Sequence, residues 1–115
     1  MSDAVTDLLK RYIEVFNEND DTTRRAGIAE VFTEDAIYSD PTAEVVGWDA
    51  IDAHLGAFRK QAAQLIFALG EVKFHHDTAL FTWTAGAGGG APLASGRDFV
   101  LLKDGRIHRI HGFFD

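Results

Sequence analysis

Leu65-Ile66-Phe67-Ala68-Leu69-Gly70-Glu71-Val72-Lys73-Phe74 (65–74) is where the hydrophobic pattern changes its period. Leu65, Phe67 and Leu69 alternate along one face, and Val72 and Phe74 resume after a bulge expected at Gly70. Before about Ala62 the apolar residues recur instead at spacings of three and four, the signature of helices. Helices first and strands afterwards is an α+β order, in which the helices cover one face of a strongly curved antiparallel sheet.

Downstream of this stretch, His75-His76-Asp77-Thr78 reads as a turn, and Leu80 to Thr84 as a strand. Gly86 to Gly90 reads as a flexible connection, and Ser95 to Lys103 as the next strand. Asp104-Gly105 tolerates the positive backbone angles of a tight hairpin, after which Ile107 to Phe114 closes the sheet. Upstream, Val5, Leu8, Leu9, Tyr12, Ile13 and Phe16 share one helical face, with Ser2 or Asp3 as cap. A second helix, capped by Asp21 or Thr22, carries Ile28, Val31 and Phe32. Ala36 to Asp40 is a short strand that Pro41 stops. A third helix starts in Trp48-Asp49-Ala50-Ile51-Asp52 with Asp49 as cap, and buries Ile51, Leu55 and Phe58.

The 115 residues suit one domain with one core and show no internal repeat, so residues 1–115 are read as a single unit. An apolar fraction of 46% and a charged fraction of 25% are globular values. No stretch nears the roughly 18 uninterrupted apolar residues of a spanning helix. Met1-Ser2-Asp3-Ala4 has neither the basic nor the apolar region of a signal peptide, and a cytoplasmic location is expected. The absence of cysteine removes disulfides, thiolate nucleophiles and cysteine-ligated zinc. A net charge of −7 argues against nucleic acid and anionic membranes as partners, since Arg24-Arg25 is too short to make a basic patch.

Three polar residues interrupt segments that otherwise read as core: Tyr12, Asp40 and Asp98. Their placement points to an apolar pocket lined by carboxyl groups. Histidine spacing does not suggest a metal. His108 and His111, three apart on a strand, are expected on opposite faces, and His75 and His76 are adjacent in a turn. His54 falls on the third helix, where it would edge the cavity. The glycines of 86–90 are not followed by the Lys-Ser/Thr of a phosphate loop. No metal or cofactor is expected.

The order of elements, with Arg11-Tyr12-Ile13-Glu14, Phe32-Thr33-Glu34-Asp35-Ala36, Asp40-Pro41 and Gly47 in sequence, resembles the nuclear transport factor 2-like superfamily. Within it the chain is similar to the SnoaL-like branch of polyketide cyclases and ketosteroid isomerases, over nearly its whole length. The resemblance implies a cone-shaped, cystatin-like fold, three N-terminal helices wrapped by the curved sheet, a pocket at the wide end, and a homodimer. In ketosteroid isomerases a first-helix tyrosine and a late-strand carboxylic acid donate hydrogen bonds to a developing oxyanion, while an Asp-Pro aspartate moves the proton. Tyr12, Asp98 and Asp40 match those positions. Phe32 and Leu55 stand where further pocket tyrosines belong in that family, so a supporting tyrosine network is not expected.

The chemistry also follows from the residues. Proton abstraction beside a carbonyl needs one base near the carbon acid and donors where charge collects on oxygen. Asp40 would be the ionised base, and Asp98, kept neutral among Val100, Leu102 and Ile110, a donor beside Tyr12. The pocket wall is expected from Phe16, Phe32, Leu55, Phe58, Trp83, Ile110 and Phe114. The partner would be a small hydrophobic molecule bearing a carbonyl. Each residue has a plainer reading: Tyr12 as a core residue with a wet hydroxyl, Asp40 as a strand-ending turn residue, Asp98 as half of a surface ion pair with Arg97. Three functions therefore stand open: a cofactor-free isomerase or cyclase, a ligand-binding module without chemistry, and a dimerising domain that binds partners through its sheet.

Overall fold

Asp3 and Asp20 open the first two helices, in a computed structural model that describes residues 3–88 and 90–115. Asp3 accepts a hydrogen bond from the Thr6 N–H at 2.6 Å and caps α1 (Ala4–Phe16). Asp20 does the same for the Thr23 N–H at 2.9 Å and caps α2 (Asp21–Val31), one residue earlier than the sequence patterns suggest. Ser2, the other candidate cap of α1, and Gly89 of the glycine-rich connection lie outside the described residues. Phe32 is not helical: its backbone is extended, and it starts β1 (Phe32–Asp40). β1 is therefore longer than the 36–40 expected, and it stops before Pro41.

A hairpin that no strong turn signal announces follows: β2 (Ala43–Val46) pairs back antiparallel on β1. Gly47, with φ of 90°, then leads into α3 (Trp48–Gln61) in a backbone conformation that L side chains rarely adopt. Gly47 is the N-cap in place of Asp49. Asp49 sits exposed in the first turn and pairs with Arg25 at 3.1 Å. The remaining strands, β3 (Ile66–His75), β4 (Thr78–Gly86), β5 (Ala94–Lys103) and β6 (Arg106–Phe114), form a meander.

The six strands make one open, curved sheet in the order β2-β1-β6-β5-β4-β3. All neighbours are antiparallel except β1 and β6, which run parallel and join the two ends of the chain. The register slips between Leu69 and Val72, at the bulge expected around Gly70, and again opposite Leu101 and Leu102. Each slip adds a residue to one strand and bends it. The second slip also resets the alternation in β6, so that Ile107 and Ile110, three apart, are both buried. The opposite-face argument for His108 and His111 therefore does not hold across it.

Leu9, Ile28, Ile51 and Leu55 from the helices and Phe81, Val100, Ile107 and Ile110 from the strands are buried together, one core between helices and sheet. Two polar devices fix the frame. Asn17, just after α1, donates to the Phe67 carbonyl at 2.9 Å and accepts from the Phe67 N–H at 2.8 Å, pairing with edge strand β3 as another strand would. Arg59, 2% exposed, donates to Asn19 Oδ1 and to the carbonyls of Ala63 and Leu65, each at 2.8 Å, and so binds the end of α3 to the α1–α2 turn and the entry to β3. Phe74, expected on the inner stripe, is exposed at the hairpin end of this edge strand. No helix among the described residues is long and apolar enough to cross a membrane.

Candidate active site

Gly112 in β6 is the point around which the site is built. The parallel register sets Ser39 opposite His111, which brings Asp40 at the end of β1 level with Gly112. The antiparallel register sets Asp98 of β5 directly opposite Gly112 on the other side. A Cβ on Gly112 would stand 3.0 Å from Asp98 Oδ1 and 3.7 Å from the Asp40 Cβ, so both side chains lean over the bare glycine. Two acids 58 residues apart in sequence thus meet through a single missing side chain.

They line a cavity of about 120 Å³ together with Tyr12, Ile13, Phe16, Tyr38, Thr42, His54, Phe58, Phe67, Trp83, Gly112 and Phe114. Of the side chains expected from sequence, Tyr12, Asp40, Asp98, Phe16, Phe58, Trp83 and Phe114 reach this cavity. Phe32, Leu55 and Ile110 do not: each is 0% exposed in the core behind it, with Phe32 edge-on to Tyr12 at 5.8 Å. Their apolar character is right, but their direction turns them into the packing that supports the wall. Thr42 and Phe114, both exposed, mark the rim.

The two carboxyls have opposite surroundings. Asp40 Oδ1 accepts from the Thr42 hydroxyl at 2.6 Å and from the N–H groups of Thr42 and Ala43 at 2.8 and 3.1 Å, which holds the β1–β2 turn. Asp40 Oδ2 accepts from the Tyr38 hydroxyl at 2.7 Å, and His54 Nε2 lies 3.4 Å from it. Burial by itself would raise the pKa of Asp40, but the hydrogen bonds donated by Thr42 and Tyr38 outweigh it and hold the carboxyl below its ordinary range. Asp40 is ionised at neutral pH, and it is both a turn residue and a cavity residue.

Asp98 is 6% exposed and accepts one hydrogen bond, from the Trp83 indole N–H to Oδ1 at 2.9 Å. Burial pushes its pKa up to about 7; the Trp83 bond moderates that rise and the nearby Asp40 charge adds to it. Arg97, next to it in sequence, points away and pairs with Asp115, so no surface ion pair with Asp98 forms. Tyr12 is 2% exposed and lines the same cavity. Burial first, then Tyr38 and the two acids, keep its phenol neutral far above the usual range. An ionised acid, a protonatable acid and a neutral phenol therefore share one apolar hollow.

Tyr38 and Thr42 are polar members that the sequence reading did not single out, and His54, expected to edge the cavity, is among its lining residues. Tyr38 is visible in retrospect, because residues two apart on a strand share a face and Asp40 was already placed there. It gives Asp40 the supporting tyrosine that Phe32 and Leu55 do not. His54 packs its ring on Tyr38, with centroids 5.3 Å apart. Among the described residues no group of three or more His, Asp or Glu side chains is arranged to hold a metal ion.

A family model described as a SnoaL-like domain matches residues 9–110. A SnoaL-like family structure from Agrobacterium tumefaciens, provisionally assigned as an isomerase, is similar with a TM-score of 0.89 and 29% identity over 96% of each chain. One from Sinorhizobium meliloti, provisionally assigned as a polyketide cyclase, has a TM-score of 0.76 and 25% identity, covering 96% of this chain and 99% of that one. An NTF2-like protein of unknown function from Cytophaga hutchinsonii shares the fold, with a TM-score of 0.72 and 14% identity over 96% of this chain and 88% of its own. No curated protein matches the chain at a significant level.

Proposed function

The chain belongs to the SnoaL-like domain family, and on that premise we propose that its cavity carries out cofactor-free proton transfer on a small, apolar carbonyl compound, as an isomerase or cyclase. One observation carries this reading. Two carboxyls that face the same apolar space have surroundings that drive their protonation states apart, Asp40 towards the anion and Asp98 towards the acid. Asp40 Oδ2 takes a proton from the carbon next to the carbonyl, and the electron pair moves to the carbonyl oxygen. Tyr12 and protonated Asp98 donate hydrogen bonds to that oxygen as it becomes negative. Trp83 occupies Asp98 Oδ1, which leaves the other oxygen to carry the proton towards the ligand. In a cavity with so apolar a lining such donors act more strongly than they would in water.

The test is hydrogen–deuterium exchange of β-tetralone and isomerisation of β,γ-cyclohexenone, followed by NMR against the uncatalysed rates. Asp40→Asn retains the Oδ1 acceptor that holds the turn but loses the base, and is expected to lose about 10²- to 10⁴-fold in rate while staying folded, with a melting point lowered only by the loss of the charged acceptor for Tyr38. Absence of any acceleration by the wild-type protein across such ketones defeats the enzymatic reading. A ligand-binding module without chemistry is favoured by one feature, the full set of hydrogen bonds on Asp40 Oδ1. Tight capture of the same ketones that survives Asp40→Asn, with no exchange, would establish that reading.

A further inference from the structure

We propose that His54 is the route by which the proton taken up by Asp40 reaches solvent, so that this site exchanges its proton with water during turnover instead of returning the same one to the product. The inference rests on the proton-transfer reading above and concerns a residue for which that reading has no role.

The geometry around Asp40 leaves few alternatives. Oδ1 already accepts three hydrogen bonds from Thr42 and Ala43, so Oδ2 is the oxygen left to take up the proton. Oδ2 faces the cavity with two neighbours. One is the Tyr38 hydroxyl, which already donates to it at 2.7 Å. The other is His54 Nε2 at 3.4 Å, an imidazole nitrogen that in one tautomer presents a lone pair to Oδ2. The His54 side chain is 22% exposed against 11% for Asp40, so the imidazole spans from the buried oxygen to the wet surface. Its ring packs against that of Tyr38 with the planes tilted by 47°, a contact that leaves Nε2 facing Oδ2 without a full stack. The contact is long for a hydrogen bond in the resting protein and would shorten once Oδ2 carries a hydrogen to donate.

In the isomerisation of β,γ-cyclohexenone the C–H bond next to the carbonyl breaks, its electron pair passes into the dienolate, and the proton goes to Asp40 Oδ2. That proton moves to the lone pair of His54 Nε2, giving an imidazolium and restoring the carboxylate. The imidazolium turns away from Oδ2, its Nε2–H exchanges with water at the cavity edge, and the ring returns that solvent hydrogen to Oδ2, from which it is delivered to the γ-carbon. No other reactant is consumed, and the new C–H bond carries a hydrogen of solvent origin.

The experiment is the conversion of β,γ-cyclohexenone in deuterium oxide, with product formation followed by absorbance and its deuterium content by mass spectrometry. Wild type is expected to give product that is largely deuterated at the γ-carbon. His54→Gln keeps a polar side chain of similar reach but cannot carry the proton, and His54→Phe keeps the ring against Tyr38 without its nitrogens. In both, turnover falls but persists, and the deuterated fraction falls severalfold. An unchanged deuterated fraction in both variants, or wild-type product that retains the substrate's own hydrogen, overturns the proposal while leaving proton transfer by Asp40 intact. If the wild-type protein forms no product at all, the reading of the site and this proposal fall together.

Discussion

Asp40 and Asp98 flank one glycine, and the space for both acids is the volume of a side chain that Gly112 does not have. A methyl group there would press on Asp98 Oδ1 at 3.0 Å, and that oxygen is held in place by Trp83. Gly112→Ala is therefore expected to displace the Asp98 carboxyl and weaken its bond to the indole. The loss of stability should be about 1–3 kcal/mol, typical of overpacking. Urea denaturation measures the loss, and the indole N–H resonance of Trp83 reports whether its bond to Asp98 survives.

Asp98 makes stability depend on pH in a direction opposite to that of most acids. Its folded pKa of about 7 lies above the ordinary 3.8, so the folded state binds the proton more tightly than the unfolded chain. Its contribution is complete below about pH 4, is lost progressively as pH rises through 7, and is absent above. The whole span amounts to roughly 4 kcal/mol. Asp98→Asn still accepts from Trp83 and carries no proton to lose, so it should flatten stability between pH 4 and 7 and exceed wild type at pH 8. Denaturation midpoints across that range check this; a wild-type curve that does not fall towards pH 8 relative to the variant would refute it.

Tyr38 works on the other carboxyl with the opposite sign. Its hydroxyl stabilises ionised Asp40, whose folded pKa is lowered, so this contribution is present above the ordinary carboxylate range and lost as pH falls through the folded value. Tyr38→Phe keeps the ring against Phe16 and His54 and removes only the donor. It should cost about 1.5–3 kcal/mol at pH 7, the usual worth of a hydrogen bond to a charged group, and much less near pH 3. The NMR titration of the Asp40 carboxyl should move upward in the variant.

The architecture was legible because burial imposes its own period: 3.6 residues in α1 and α3, two in β4 and β5. The sequence also carried the bulge at Gly70 and the Asp104-Gly105 turn, where φ is positive at both residues. It did not carry β2, four residues with no hairpin signal of their own. Nor did it carry the start of β1, because Phe32 follows Ile28 by four and fits a helical face equally well. Tyr12, Asp40 and Asp98 stood out as polar residues in apolar runs. Phe32, Leu55 and Ile110 show the limit of that logic, since apolar pattern gives the side of an element that is buried but not whether it meets a cavity or the core. Gly112 became informative only once non-local pairing of β1, β6 and β5 had set it between the acids, and the approach of His54 to Asp40 depends on how α3 packs against β1.

Arg59 tests whether the cavity wall depends on polar packing outside it. The guanidinium is 2% exposed and satisfies Asn19 and the carbonyls of Ala63 and Leu65, none of them ionised. Burial therefore lowers its pKa, and the charge is tolerated because these acceptors surround it. The neighbouring residues Phe58 and Phe67 form part of the cavity, with rings 5.9 Å apart. Arg59→Met fills most of the volume but takes the donor from Asn19 Oδ1 and from the Leu65 carbonyl, while the Ala63 carbonyl keeps its bond from Asn19 Nδ2, and each acceptor left unpaired costs about 1–3 kcal/mol where water cannot reach it. Arg59→Lys reaches fewer of the three and should recover part of the loss. The expected result is a large drop in the denaturation midpoint for methionine and a smaller one for lysine. Amide exchange should rise first at Phe67, whose N–H is held by Asn17 from the same turn. If the exchange instead rises uniformly over the chain, Arg59 stabilises the domain as a whole and has no particular hold on the cavity wall.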